Sequence, residues 1–202
     1  MMKKIAIIDY GLGNLRSVIR GLEKAGANAV ITCDAGEIAA AEGLVLPGVG
    51  AFHEGMDQLG PLKATVVEAA RQVPLLGICL GMQMLLETSE EHGIHNGLGL
   101  IYGSAKRFPR GSGQKVPHMG WNSLTIEKTD NPLFAGFMQD EYVYVVHSFY
   151  ADTLPEFTLT TTEYICPFAS SVGSRNVFGV QFHPEKSGAA GLRLLNNFIG
   201  LV

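Results

Sequence analysis

Short aliphatic runs alternate with helical stretches through the first half of the chain. Ile5–Ile8 is a continuous apolar run, the pattern of a strand covered on both faces. From Asn14 through Ala25, the apolar Leu15, Val18, Ile19 and Leu22 recur at helical spacing, and Gly26 stands where a C-cap glycine belongs. Ala29–Thr32 reads as the next strand and Leu44–Leu46 as another, stopped by Pro47. A helix follows over roughly Met56–Gln72, and Leu75–Ile78 is a further buried strand. This β-α-β-α-β-α-β rhythm predicts a parallel sheet with helices on both sides.

The second half changes character. Leu100–Phe108, Trp121–Glu127, Tyr142–Val146, Thr158–Tyr164, Phe168–Val172 and Val177–Phe182 read as strands separated by short turns. Ser174-Arg175-Asn176 suggests a hairpin connection, so antiparallel strands are expected at the sheet edge. A last helix, about Ala189–Ile199, carries Leu192, Leu195, Phe198 and Ile199 on one stripe. The predicted fold class is α/β: an open, mostly parallel central sheet flanked by helices, with antiparallel strands added in the C-terminal half. No composition break, repeat or low-complexity linker divides residues 1–202, which read as a single domain. Gly111-Ser112-Gly113 reads as a loop tip.

Composition narrows the partners. The chain is 47% hydrophobic and 17% charged, against ~25% charged in typical domains, so it can bury a large core. A net charge of −4 supplies no field for nucleic acid or an anionic membrane, and neither is expected as a partner. No segment approaches the ~20 apolar residues of a membrane span. The opening Met1-Met2-Lys3-Lys4 precedes an apolar run of only four residues that meets Asp9, too short for a signal h-region. The three cysteines, Cys33, Cys79 and Cys166, are odd in number and widely spaced, which suggests neither a disulfide framework nor a zinc site. A soluble cytoplasmic protein without a metal or other cofactor is expected.

Chemistry concentrates in Gly77-Ile78-Cys79-Leu80-Gly81, between the apolar strand and the helical stretch Met82 to Glu87. This is a G-x-nucleophile-x-G elbow with cysteine as nucleophile. Side chains two residues either side of so tight a turn would clash, hence the glycines. The turn sets the sulfur near a helix N-terminus, which favours thiolate, and the Leu80 N–H points where an oxyanion would form. Of six histidines, His183 in Gln181-Phe182-His183-Pro184-Glu185 is the best base. Pro184 forbids helix there and biases His183 toward an extended conformation, so Glu185, two residues on, can orient the imidazole. Taken alone, His183 and Glu185 fit a surface turn equally well; with the elbow they fit a Cys-His-Glu triad. Pro47-Gly48-Val49-Gly50 offers free backbone N–H groups for a second oxyanion donor, and lacks the rest of a phosphate-binding loop.

Other motifs carry less. Gly11-Leu12-Gly13-Asn14-Leu15-Arg16 has Arg16 where a dinucleotide fingerprint needs its third glycine. His92 and His95 share a metal-like spacing but have no third ligand, so they read as a solvated loop, and His53 reads as a structural residue on the lip of the glycine loop. Trp121 suits either an interface anchor or a core aromatic.

Together, Gly77–Gln83, Pro47–Gly50 and Gln181–Glu185 resemble the signatures of the class I (triad) glutamine amidotransferases. Asp9-Tyr10-Gly11, Pro117–Asn122, Val146–Tyr150 and Glu185-Lys186-Ser187 resemble one branch of that family, working in histidine biosynthesis, and the likeness runs from Lys3 to Phe198. The resemblance implies a triad of Cys79, His183 and Glu185. It implies that Gln83 and Glu91 hold the substrate glutamine, that Gly48, Gly50 and Leu80 surround the oxyanion, and that Ser148 and Phe149 give backbone contacts. It further implies a separate (β/α)8-barrel cyclase that consumes the ammonia, with Asn14, His118, Trp121, Tyr144 and Lys186 toward that interface. Since Gly48 and Gly50 make a peptide flip sterically cheap, Pro47–Gly50 is expected to be misaligned until the cyclase binds its ligand. Rival readings are a glutaminase of another pathway, a self-contained thiol hydrolase and a catalytically dead interaction subunit.

Overall fold

A computed structural model describes residues 2–109, 111 and 113–202. Ser112 of the expected loop tip lies outside the described residues. The N-terminal half runs β1 (Lys4–Ile8), α1 (Leu15–Lys24), β2 (Asn28–Thr32), α2 (Ala35–Ala39), β3 (Gly43–Gly48), α3 (Phe52–Leu59), α4 (Lys63–Ala69), β4 (Leu75–Cys79) and α5 (Leu80–Leu85). These four strands pair in parallel in the order β2-β1-β3-β4.

Because successive strand residues face opposite ways, the apolar runs feed two cores. Ala6, Ile8, Leu44 and Leu46 pack with Phe52, Leu59 and Val66 of α3 and α4. Ile5, Ile7, Val45, Leu76 and Ile78 pack with Val18 and Leu22 of α1 and with Leu194, Leu195 and Phe198 of the last helix. At ~25 cal/mol per Å² of apolar surface removed from water, this double-sided burial is the main stabilising term.

The second half adds β5 (Thr88–Ser89), β6 (His95–Asn96), β7 (Ser104–Arg107), β8 (His118–Ile126), β9 (Glu141–His147), β10 (Phe149–Asp152), β11 (Thr158–Glu163), β12 (Pro167–Ser174), β13 (Val177–Val180) and α6 (Gly188–Leu201). β13 pairs parallel with β4 and antiparallel with β12 through a tight turn at Arg175, whose φ is +54°. The Asn176 amide donates to the carbonyls of Ala70 and Val73, tying that turn to the end of α4. β8 and β9 form a long antiparallel pair joined to β12 through β11.

Four local expectations change. Pro47 does not stop β3, which continues to Gly48. Pairing with β1 ends at Val45, so the N–H that proline lacks falls where no ladder bond is required. The single helix expected over 56–72 is broken at Gly60–Leu62, where Pro61 cannot continue an α-helical ladder. Phe149–Asp152 forms a strand that the apolar pattern left out. The buried stripe of α6 is centred on Gly191, Leu194, Leu195 and Phe198, and Leu192 and Ile199 flank it.

Among the described residues no helix is long and apolar enough to cross a membrane, and no group of three or more His, Cys, Asp or Glu side chains could hold a metal ion.

Candidate active site

The carboxyl ends of β3, β4 and β13 converge on one cavity of about 260 Å³. Its lining includes Gly50, Cys79, Leu80, Gln83, Glu91 and His183, with Ser148 and Phe149 opposite. Gly48 and Glu185, from the same predicted set, stand behind the wall.

Cys79 ends β4 with φ +54° and ψ −109°, a conformation that favours glycine. The strain, of order 1–3 kcal/mol, is held in place by close packing at both glycines of the elbow. A Cβ on Gly77 would come within 2.8 Å of the Gly81 backbone, and one on Gly81 within 1.8 Å of the Leu46 carbonyl oxygen. Cys79 is thereby turned out of the sheet into the cavity, directly before the first residue of α5. The sulfur lies 3.8 Å from the Val146 carbonyl oxygen and accepts from Gln181 Nε2 (3.7 Å).

His183 reaches the same cavity from beyond β13. Its N–H donates to the Tyr144 carbonyl at 2.9 Å, and its carbonyl accepts from Ser187 Oγ at 2.7 Å, which fixes the backbone on both sides. Pro184 opens a short 3₁₀ turn through Lys186, contrary to the expectation that it forbids helix. Proline is well suited to a first helical position, where its missing N–H would have no partner. This turn, with His183 extended, brings Glu185 Oε1 to 2.9 Å from His183 Nδ1. The two side chains are 3% and 1% exposed. α6 closes over the turn so tightly that a Cβ on Gly191 would come within 1.9 Å of the Pro184 carbonyl oxygen.

The imidazole of His183 is held at about 9, above its ordinary 6.5. Burial pushes it down, but the Cys79 sulfur and the Glu185 carboxylate together outweigh burial. With Nδ1 engaged by Glu185, Nε2 is buried without a conventional hydrogen-bond partner among the described residues. It is the nitrogen left for proton transfer.

Gln83 donates both amide hydrogens inward, to the Phe149 carbonyl and to Gln181 Oε1, each at 3.1 Å. Only its oxygen remains for a ligand, so Gln83 can serve a substrate as an acceptor. Glu91 Oε2 accepts the Phe52 N–H at 2.7 Å, at the start of α3. Around the glycine loop, a Cβ on Gly48 would meet the Tyr10 hydroxyl at 2.5 Å, and that hydroxyl donates to the Pro47 carbonyl. Nothing stands within 4 Å of a Cβ on Gly50, whose φ is +103°. Conformational freedom therefore lies at Val49–Gly50, with Gly48 locked into the ladder opposite Cys79.

The expected interface residues separate. Trp121, 55% exposed, meets the ring of Tyr144 edge-on at 6.1 Å, and Lys186 Nζ lies 5.8 Å from that ring's centroid. Trp121 is no core residue. Asn14 is exposed and caps α1, accepting from Ser17 N–H. His118, expected to face outward, is 4% exposed and points into the molecule. His95 lies in β6, not in a solvated loop, and stacks on His53 at 4.4 Å. Sequence reasoning missed Gln181 as a contact of the sulfur, although its position two residues before His183 places it on the same strand extension. It also missed His147, which lines the cavity.

Known proteins resemble this chain in sequence and in fold. Residues 6–201 match the glutamine amidotransferase class-I family. The chain is 54% identical over 203 residues to the imidazole glycerol phosphate synthase subunit HisH of Methanosarcina barkeri, covering 99% of this chain and 100% of that one. It is 51% identical over 197 residues to HisH of Lacticaseibacillus casei, covering 96% and 94%. Among solved structures, a glutamine amidotransferase shares the fold, with a TM-score of 0.75 at 17% identity over 97% of each chain. PurLQS from Thermotoga maritima superposes with a TM-score of 0.73 at 20% identity, over 99% of each. This chain belongs to the class-I glutamine amidotransferase family.

Proposed function

We propose that this chain is the glutaminase subunit of an imidazole glycerol phosphate synthase, releasing ammonia from glutamine for a partner subunit in histidine biosynthesis. One observation carries the reading: Cys79 and His183, the latter held from behind by Glu185, open onto the same cavity as Gln83, Glu91 and Gly50. Identity above 50% to HisH proteins over nearly the whole chain supports the choice of pathway.

Thiolate Cys79 attacks the carboxamide carbon, and the N–H groups of Leu80 and Gly50 take the oxyanion. His183, protonated at neutral pH because it is held at about 9, gives its Nε2 proton to the departing ammonia. The γ-glutamyl thioester that remains carries no charge on sulfur. One of the interactions that raised the imidazole is then gone, and neutral His183 is better suited to activate water and release glutamate. Glu185 orients the ring through Nδ1. The oxygen of Gln83 and the carboxylate of Glu91 suit the α-ammonium of the substrate, and the backbone at Ser148 and Phe149 suits its carboxylate end.

The partner of this reading is a (β/α)8-barrel cyclase, in the cytoplasm. Trp121, Tyr144 and Lys186 form the docking face, with Asn14 at its margin, and Val49–Gly50 is the segment that the liganded cyclase realigns. The test is glutamate release by the chain alone, with the cyclase, and with the cyclase plus its ribonucleotide ligand. Release that depends on Cys79 and rises with the liganded partner is expected. Turnover that survives Cys79→Ser, or that ignores the partner, overturns the reading.

A further inference from the structure

At the cavity wall, where His147 is part of the lining, and behind it, where His118 stands, two buried histidines form part of a hydrogen-bonded chain with one possible polarity. The Asn122 amide nitrogen donates to the Glu163 carbonyl (2.9 Å), and Asn122 Oδ1 accepts from Ser123 N–H (2.8 Å), which orients that amide. Its second hydrogen points at His118 Nε2, 3.1 Å away. His118 Nδ1 lies 3.0 Å from His147 Nε2, and His147 Nδ1 lies 2.8 Å from the Phe149 carbonyl oxygen. A carbonyl can only accept, so His147 carries its proton on Nδ1 and accepts at Nε2. His118 must then donate from Nδ1 and accept from Asn122 at Nε2. A second proton on either ring would set two donors face to face. Both imidazoles are accordingly neutral, and burial holds them low, His118 at about 4 and His147 at about 3.

The chain continues to the nucleophile. The Phe149 carbonyl also accepts from Gln83, whose other hydrogen goes to Gln181, and Gln181 donates to the Cys79 sulfur. The cage around the histidines is aromatic. Tyr164 stacks on His118 at 3.9 Å, and Phe108 and Phe168 flank His147 at 5.3 and 5.2 Å. Burying two imidazoles in such a cage has a desolvation cost that apolar side chains would avoid. A role beyond packing would account for it.

We propose that His118 and His147 are positioning residues for glutamine hydrolysis. They act as a neutral, one-way relay that fixes the Phe149 carbonyl and, through it, the Gln83 and Gln181 amides beside the substrate and Cys79. This deepens the function proposed above and rests on it. His147 is the inner member, because it holds the carbonyl directly, and His118 orders His147.

Two measurements test it. In nitrogen-15 spectra of the imidazoles at pH 7, both rings are expected neutral with the proton on Nδ1. An Nε2–H tautomer or a cation at either site overturns the relay. In glutamate-release kinetics of the complete synthase, H147F is expected to raise KM for glutamine about tenfold or more, with kcat changed less than about threefold. H147N, which keeps a donor near Nδ1, is expected to restore KM to within about threefold of wild type. Should H147F not fold, H118F and H118N give the same comparison one bond further out. Unchanged KM in the phenylalanine variant, or equal loss in both variants of a pair, overturns the positioning role alone. Wild type that releases no glutamate overturns the underlying reading, and this proposal with it.

Discussion

Glu91 reaches from the cavity wall to the first turn of α3, where its carboxylate oxygen lies 2.7 Å from the backbone nitrogen of Phe52. One side chain thus touches both the space for substrate and the helix that follows Val49–Gly50. A carboxylate at a helix N-terminus is stabilised by the free N–H groups there, so any ligand drawing on the same carboxylate also senses the position of α3.

Glu91→Gln keeps the shape and removes the charge. Charged hydrogen bonds contribute about 1.5–3 kcal/mol, so KM for glutamine is expected to rise roughly ten- to a hundredfold. Urea denaturation is expected to register a smaller loss, about 1 kcal/mol, from the weakened cap. An unchanged KM in steady-state assays would remove Glu91 from the substrate site.

The strained turn at Cys79 makes a stability prediction separable from chemistry. Cys79→Ala and Cys79→Gly both delete the sulfur and are expected to abolish glutamate release. Only glycine relieves the penalty of φ +54°. Cys79→Gly is therefore expected to exceed Cys79→Ala in stability by about 1 kcal/mol, read from urea midpoints at equal m-value. Alanine as the more stable of the two would show that the turn is not strained.

Gly81→Ala would drive a methyl into the Leu46 carbonyl, with no flexible side chain to move aside. A loss above about 3 kcal/mol, or failure to fold, is expected. Gly200→Ala is the control. It lies near the end of α6 with nothing within 4 Å of a Cβ, and a gain of a few tenths to about 1 kcal/mol is expected. Thermal melts of the pair compare the two.

Raising His183 from 6.5 to about 9 couples stability to pH. The folded protein binds that proton more tightly than the unfolded chain. The contribution is fully present below pH 6.5, declines above it, and is lost as pH passes through about 9. Glu185→Gln removes one of the interactions that hold the imidazole up, so the decline, which still begins near pH 6.5, is expected to be smaller and to end at lower pH in denaturation curves recorded from about pH 6 to 10. Loss of an orienting carboxylate also costs roughly 10²–10⁴ in kcat/KM in comparable triads. Identical pH profiles for the two proteins would detach Glu185 from His183.

Much of this was legible in the chain because the governing constraints are local. The elbow glycines follow from sterics within five residues, and the two-sided burial of β1, β3 and β4 follows from uninterrupted aliphatic runs. The extension of β3 through Pro47 was not legible, since it depends on where a neighbouring strand stops pairing. Nor was the inward course of His118. Alternation along β8 puts Met119 and Trp121 on the exposed face and turns His118 inward, opposite His147.

By itself the sequence determined the chemistry on offer: a cysteine on a turn that only small neighbours permit, a histidine with a carboxylate two residues on, and apolar periods that demand a doubly covered parallel sheet. Those features are written in adjacent residues, whose sterics and hydrogen bonding act before any tertiary contact forms. Tertiary structure alone decided that β13 lies beside β4, bringing His183 to Cys79, and that β8 pairs with β9 in the register that joins two histidines at the cavity wall. Such meetings depend on strand order and register, which pair residues far apart in the chain and leave no local mark on either one.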